Sequence, residues 1–95
     1  MRKITFPQNV PDFKVRVTLA EDVYSFRFRW NAWASRWAFD AYDNSGNSLW
    51  KGIFASTGVL YGRLFPGKIP DDSEFFFFGD ETDSTFSNFF MAVND

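Results

Sequence analysis

Between Val23 and Tyr42 the chain reads VYSFRFRWNAWASRWAFDAY, and the first half of this stretch alternates without interruption. Tyr24, Phe26, Phe28 and Trp30 share one parity; Val23, Ser25, Arg27 and Arg29 share the other. A strand sends successive side chains to opposite faces, so this spacing makes a strand with an aromatic face and a cationic face. A helix would scatter both sets around its axis. After a break of small and polar residues at Asn31 to Ser35, the period of two resumes over Arg36 to Tyr42, with Trp37, Phe39 and Ala41 opposed to Ala38, Asp40 and Tyr42. The expectation is an antiparallel hairpin with Tyr24, Phe26, Phe28, Trp30, Trp37 and Phe39 in the core.

The same rhythm extends outward. Met1 to Phe6 can form a short strand that Pro7 ends, and Pro7 and Pro11 bracket an irregular segment because proline lacks an amide donor. Phe13, Val15, Val17 and Leu19 alternate with Lys14, Arg16 and Thr18, a half-buried strand that Ala20 to Asp22 turns back onto Val23 to Trp30. The residues DNSGNS after Tyr42 are of the kinds that accept positive φ or bond their own backbone, so a second hairpin leads into Ser48 to Phe54. Gly58 to Leu64 is read as a further strand, and Phe65 to Asp72, with two prolines, as a loop. Glu74 to Gly79 and Asn88 to Val93 complete the set, separated by an acidic loop from Gly79 to Ser87. No segment has the length and apolar spacing of a helix. Seven or eight short strands parted by turns predict one all-β domain over residues 1–95, a small antiparallel sandwich or partly open barrel.

Aromatic content then bears on function. The chain has 14 Phe, 4 Trp and 3 Tyr in 95 residues. A domain of this size buries only about 60 to 65% of its unfolded surface, and each aromatic side chain brings roughly 150 to 250 Å². The surplus is expected at an interface. Phe75 to Phe78 are consecutive, so in a strand two face each way, and the outward pair needs a covering loop or another chain. Phe75, Phe76, Phe77, Phe78, Phe89 and Phe90 are therefore interface candidates. Arg27 and Arg29 are candidates too, either presented to a neighbouring subunit or paired with Asp12, Asp40 or an acidic loop.

Other chemistries find little footing. A net charge of −2 argues against a nucleic-acid partner, which requires several phosphates to be neutralised. Arg27 and Arg29 lie on the face opposite the rings, whereas a base-stacking groove needs both on one surface. The chain has neither cysteine nor histidine, so disulfides, thiolate metal sites and imidazole bases do not enter. The Asp43 to Asn47 run lacks the later bidentate glutamate of a calcium loop and reads as a turn. The carboxylates at Asp71, Asp72 and Glu74, and at Asp80, Glu81 and Asp83, fall in or beside loops, where water serves them. No catalytic, cofactor or metal residue is assigned. No apolar run has the length of a signal peptide core or a membrane span, so neither is expected. Trp33, Trp37 or Trp50, if exposed, could stack on sugar rings, which keeps a carbohydrate-binding sandwich as the alternative.

The order and spacing of Tyr24, Phe26, Arg27, Phe28, Arg29, Trp30 and Asn31, followed by Arg36, Trp37, Phe39, Asp40, Tyr42, Asp43 and Gly46, resemble the small baseplate plug proteins of contractile-tailed phages, the cyanophage type. Phe6, Pro7, the Phe13 to Leu19 strand, Gly52, Gly58, Leu60 and Arg63 extend the likeness over roughly Ile4 to Leu64. The resemblance implies a non-enzymatic virion protein, made in the host cytoplasm and sited in the tail baseplate near the central hub and the start of the tail tube. It further implies baseplate, hub and tail-tube proteins and copies of itself as partners, with no cofactor.

Overall fold

The computed structural model describes residues 2–4, 6–64, 67, 69, 70 and 73–94. Its strands are β1 Arg2–Ile4, β2 Asp12–Leu19, β3 Asp22–Asn31, β4 Arg36–Tyr42, β5 Ser48–Phe54, β6 Glu74–Gly79 and β7 Phe89–Asn94, with one short helix, α1 Tyr61–Leu64, between β5 and β6. They form two antiparallel sheets, β2-β3-β4-β5 and β1-β7-β6. Among the described residues neither sheet closes on itself, so the architecture is a small sandwich rather than a barrel. Phe65, Pro66, Lys68, Asp71 and Asp72 of the expected loop lie outside the described residues, as do Met1 and Thr5 of the expected first strand.

The aromatic parity of β3 decides the layering. Tyr24, Phe26 and Phe28 are buried, and so are Ala41 and Phe39 of β4 opposite Phe26 and Phe28, and Trp37 opposite Trp30. Phe75 and Phe77 of β6 and Phe89, Met91 and Val93 of β7 meet them from the other sheet. Phe26 lies 5.2 Å from Phe75 and Phe28 5.9 Å from Phe77, ring centroid to centroid, both edge to face. Such pairs add about 0.5 to 1.5 kcal/mol each beyond area burial. Trp30, at the mouth of the sandwich, is only half-buried and packs edge-on to Trp37 at 5.6 Å.

Two connections carry information. The β2–β3 turn is the two-residue type, with Ala20 at φ 48° and Glu21 at φ 76°, the handedness that matches the twist of the strands it joins. Gly58 to Leu64, expected as a strand, instead turns into α1. The reason is Tyr61, whose ring must enter the core: it stacks on Phe75 at 5.0 Å and its hydroxyl donates to Phe54 O at 2.8 Å. Glu74 fixes that helical turn by accepting from the amides of Gly62 and Arg63. A Cβ on residue 62 would lie 2.7 Å from Ser73 O, so glycine is needed there.

Candidate interaction surface

The outer face of β2-β3-β4-β5 holds the predicted arginines, and carboxylates hold both of them. Arg27 meets Asp12 through two parallel bonds, Nε to Oδ1 at 3.0 Å and Nη2 to Oδ2 at 2.7 Å. That fork lowers the Asp12 pKa and raises that of Arg27. Arg29 donates to Asp40 Oδ2 at 2.9 Å. Asp40, 4% exposed, also accepts the Gly52 amide at 2.8 Å, where β5 bulges against β4 and Gly52 takes φ 65°. Asp40 and Gly52 are thus one device: the bulge opens an amide and the carboxylate closes it.

The loop between β6 and β7 closes one end of the sandwich. Phe86, in the midst of polar residues and at φ 57°, turns its ring inward against Phe6 at 4.6 Å, Trp37 at 4.5 Å and Phe89 at 5.3 Å. Asp83 organises the backbone around it. Its carboxylate accepts from the Thr85 hydroxyl at 2.6 Å, the Thr85 amide at 2.9 Å, the Ser87 hydroxyl at 3.1 Å and the Asn88 amide at 2.6 Å. With the Thr85 hydroxyl as the largest contributor, these bonds hold its pKa down at about 2. Arg36 clamps the loop to β4 through Glu81 at 2.9 Å, and Glu81 accepts from Thr57 in turn. A lone phenylalanine inside a polar run was the sequence signal for this closure. So were the Asp-x-Thr spacings at Asp80 and Asp83.

The outward face of β1-β7-β6 differs in character. Phe76 and Phe78 point away from the core, with Phe90 of β7 beside them: Phe78 and Phe90 lie 5.2 Å apart, Phe76 and Phe78 6.4 Å. Phe78 is 39% exposed, while Phe76 and Phe90 are half-buried. Lys3 of β1 sets its ammonium 3.6 Å from the Phe90 ring centre. Ala92, between Lys3 and Phe76 in register, is covered by them. Leu60, 40% exposed, lines one groove with Phe76 and carries the apolar surface past the sheet edge.

Of the six phenylalanines expected at an interface, three are therefore corrected. Phe75, Phe77 and Phe89 are at most 1% exposed and belong to the core, because β6 and β7 turn these parities inward. Phe76, Phe78 and Phe90 remain as an exposed aromatic cluster. Trp37 and Trp50 are buried and unavailable to a sugar, whereas Trp33 is fully exposed at the β3–β4 turn. The Asp43 carboxylate accepts from the amides of Ser45 and Asn47, the bonding of a turn, and its pKa is lowered, chiefly by Asn47. No three acidic side chains among the described residues stand close enough to hold a metal ion.

A family model described as cyanophage baseplate Pam3 plug gp18 matches residues 1–94. The chain belongs to the cyanophage baseplate plug family. The match takes in the C-terminal third, beyond the Ile4 to Leu64 span of the motif likeness, so β6, β7 and their outward aromatics fall within the family's extent. No curated protein matches the chain. Membership gives the plug a structural role in the phage baseplate, and its outward aromatic sheet is the surface that this role leaves to explain.

Proposed function

We propose that this plug is a non-enzymatic assembly part that sits near the central hub at the start of the tail tube and acts through protein–protein contacts. The observation that carries this reading is the cluster of Phe76, Phe78 and Phe90 on the outer face of β1-β7-β6, in a chain whose family is a baseplate plug. Interfaces gain most of their energy from a few desolvated aromatics, and three on one rigid sheet, with Lys3 and Glu74 at the margin, have that composition. A hub or tail-tube protein with a flat apolar patch is the fitting neighbour, and further copies of the plug belong to the same assembly. Synthesis in the host cytoplasm precedes incorporation.

Two experiments test the reading. A mass-spectrometric inventory of purified tail particles should find the chain at low copy number with hub and tube proteins; absence from intact tails would refute it. Phe76→Ser combined with Phe78→Ser should leave the isolated fold intact and remove the chain from assembled tails. Incorporation at the wild-type level would show that this sheet is not the contact surface.

A further inference from the structure

We infer that the turn carrying Trp33 docks into the cationic groove on β2 and β3 of a second copy of this chain. Trp33 is 100% exposed, and the turn that displays it is held: Asn31 Oδ1 accepts the Ala34 amide at 3.1 Å, and Ser35 takes φ 52°. A large ring presented to water on a fixed turn gains only when a partner covers it. Its flanks, Ala32 and Ala34, offer no polar side chain to orient a sugar, and the ring stands fully clear of the surface. The ring therefore fits a concave acceptor.

The acidic β6–β7 loop shares this end of the molecule, since Arg36, at the last rung beneath the turn, binds Glu81. Asp80 and Asp83 take their hydrogen bonds from neutral donors within the loop and have no cation partner among the described residues. That end of the molecule thus carries an exposed aromatic ring and two carboxylates without a cation partner among the described residues.

The groove has the complementary content. Lys14, Arg16, Arg27, Val23, Tyr42 and Asp43 line it on the outer face of β2-β3-β4; Asp12 holds Arg27 and Asp43 bonds the amides of its own turn, while neither Lys14 nor Arg16 has an ion-pair partner among the described residues. Register sets Lys14 opposite Arg27, but Asp12 already neutralises Arg27, so Lys14 and Arg16 are the cations that the groove leaves for an anionic occupant. The guanidinium groups and Tyr42 provide stacking surface for an indole. The groove lies toward the β2–β3 turn and the β4–β5 hairpin, away from the β3–β4 turn, so no chain can fill its own. The contact is head-to-tail, joining two different patches, and builds a ring where the rotation closes. This inference deepens the homo-oligomer part of the proposed function and rests on it.

Purified chain at about 0.1 to 0.5 mM in low salt should sediment as dimers and larger species, and salt at about 0.5 M should shift it toward monomer. Trp33→Ala, and separately Lys14→Glu with Arg16→Glu, should each be monomeric with unchanged circular dichroism. Mixed in equal amounts, the two variants should form a 1:1 heterodimer and nothing larger, because each retains the half that the other has lost. A wild-type chain that stays monomeric, variants that assemble as before, or a mixture without heterodimer would each overturn the inference. None of these outcomes would move the particle inventory, which judges the baseplate role separately.

Discussion

Asp40 shows how much one side chain can decide. It sits on the outward parity of β4, where a carboxylate would ordinarily meet water, yet it is buried because the bulge at Gly52 brings an amide to it and Arg29 folds over it. Removing the carboxylate strands a buried N–H, which costs about 1 to 3 kcal/mol, and frees a half-exposed arginine, which adds little. Asp40→Ala is therefore expected to lower unfolding stability by about 2 kcal/mol in urea titration. Asp40→Asn keeps an acceptor for Gly52 and should recover most of the loss. Equal loss in both variants would mean that the ion pair with Arg29, not the bulge amide, is what matters.

At the scale of elements, the β6–β7 loop behaves as a built closure rather than a connection. Its Phe86 ring fills the end of the sandwich, and the Asp83 carboxylate holds the backbone that aims that ring. A carboxylate whose folded pKa lies below its unfolded value stabilises the fold above the unfolded value, and that contribution is lost as pH falls through the folded one. For Asp83 the window runs from about pH 4 down to about pH 2. After discounting for its partial exposure, the loss is on the order of 1 kcal/mol. Thermal melts of wild type and Asp83→Asn should therefore differ at pH 7 and converge toward pH 2. A constant gap across that range would refute the assignment.

For the whole molecule, adjacent phenylalanines serve opposite ends. Phe77→Ala opens the core and is expected to cost about 3 to 5 kcal/mol, a large share of the 5 to 15 kcal/mol that a domain of this size has. Phe78→Ala, one residue away, opens no core cavity and should cost only about 1 to 2 kcal/mol through its ring contacts with Phe76 and Phe90. Chemical denaturation of both variants checks the pair, and comparable losses would mean that the outer sheet face is covered within the monomer. The difference places the molecule's stability in the space between the sheets.

The alternation from Val23 to Tyr42, the polar turn after Tyr42 and the parity of the Phe75 to Phe78 run determined, without any structure, an all-β chain with hairpins near residues 20, 33 and 45. The spacing of those aromatics and arginines also carried the family likeness. Period two is a local property of strands, so it survives in the sequence. Which parity of β6 and β7 faces inward is settled by the sheet that packs against them, and on that account Phe75, Phe77 and Phe89 belong to the core. Gly58 to Leu64 left the strand pattern because the Tyr61 ring had to reach Phe75, a contact between residues 14 apart in sequence. Phe86 likewise entered the core from a polar loop. These choices belong to tertiary structure because burial rewards a ring for the space it finds, and that space is made by strands distant in the chain.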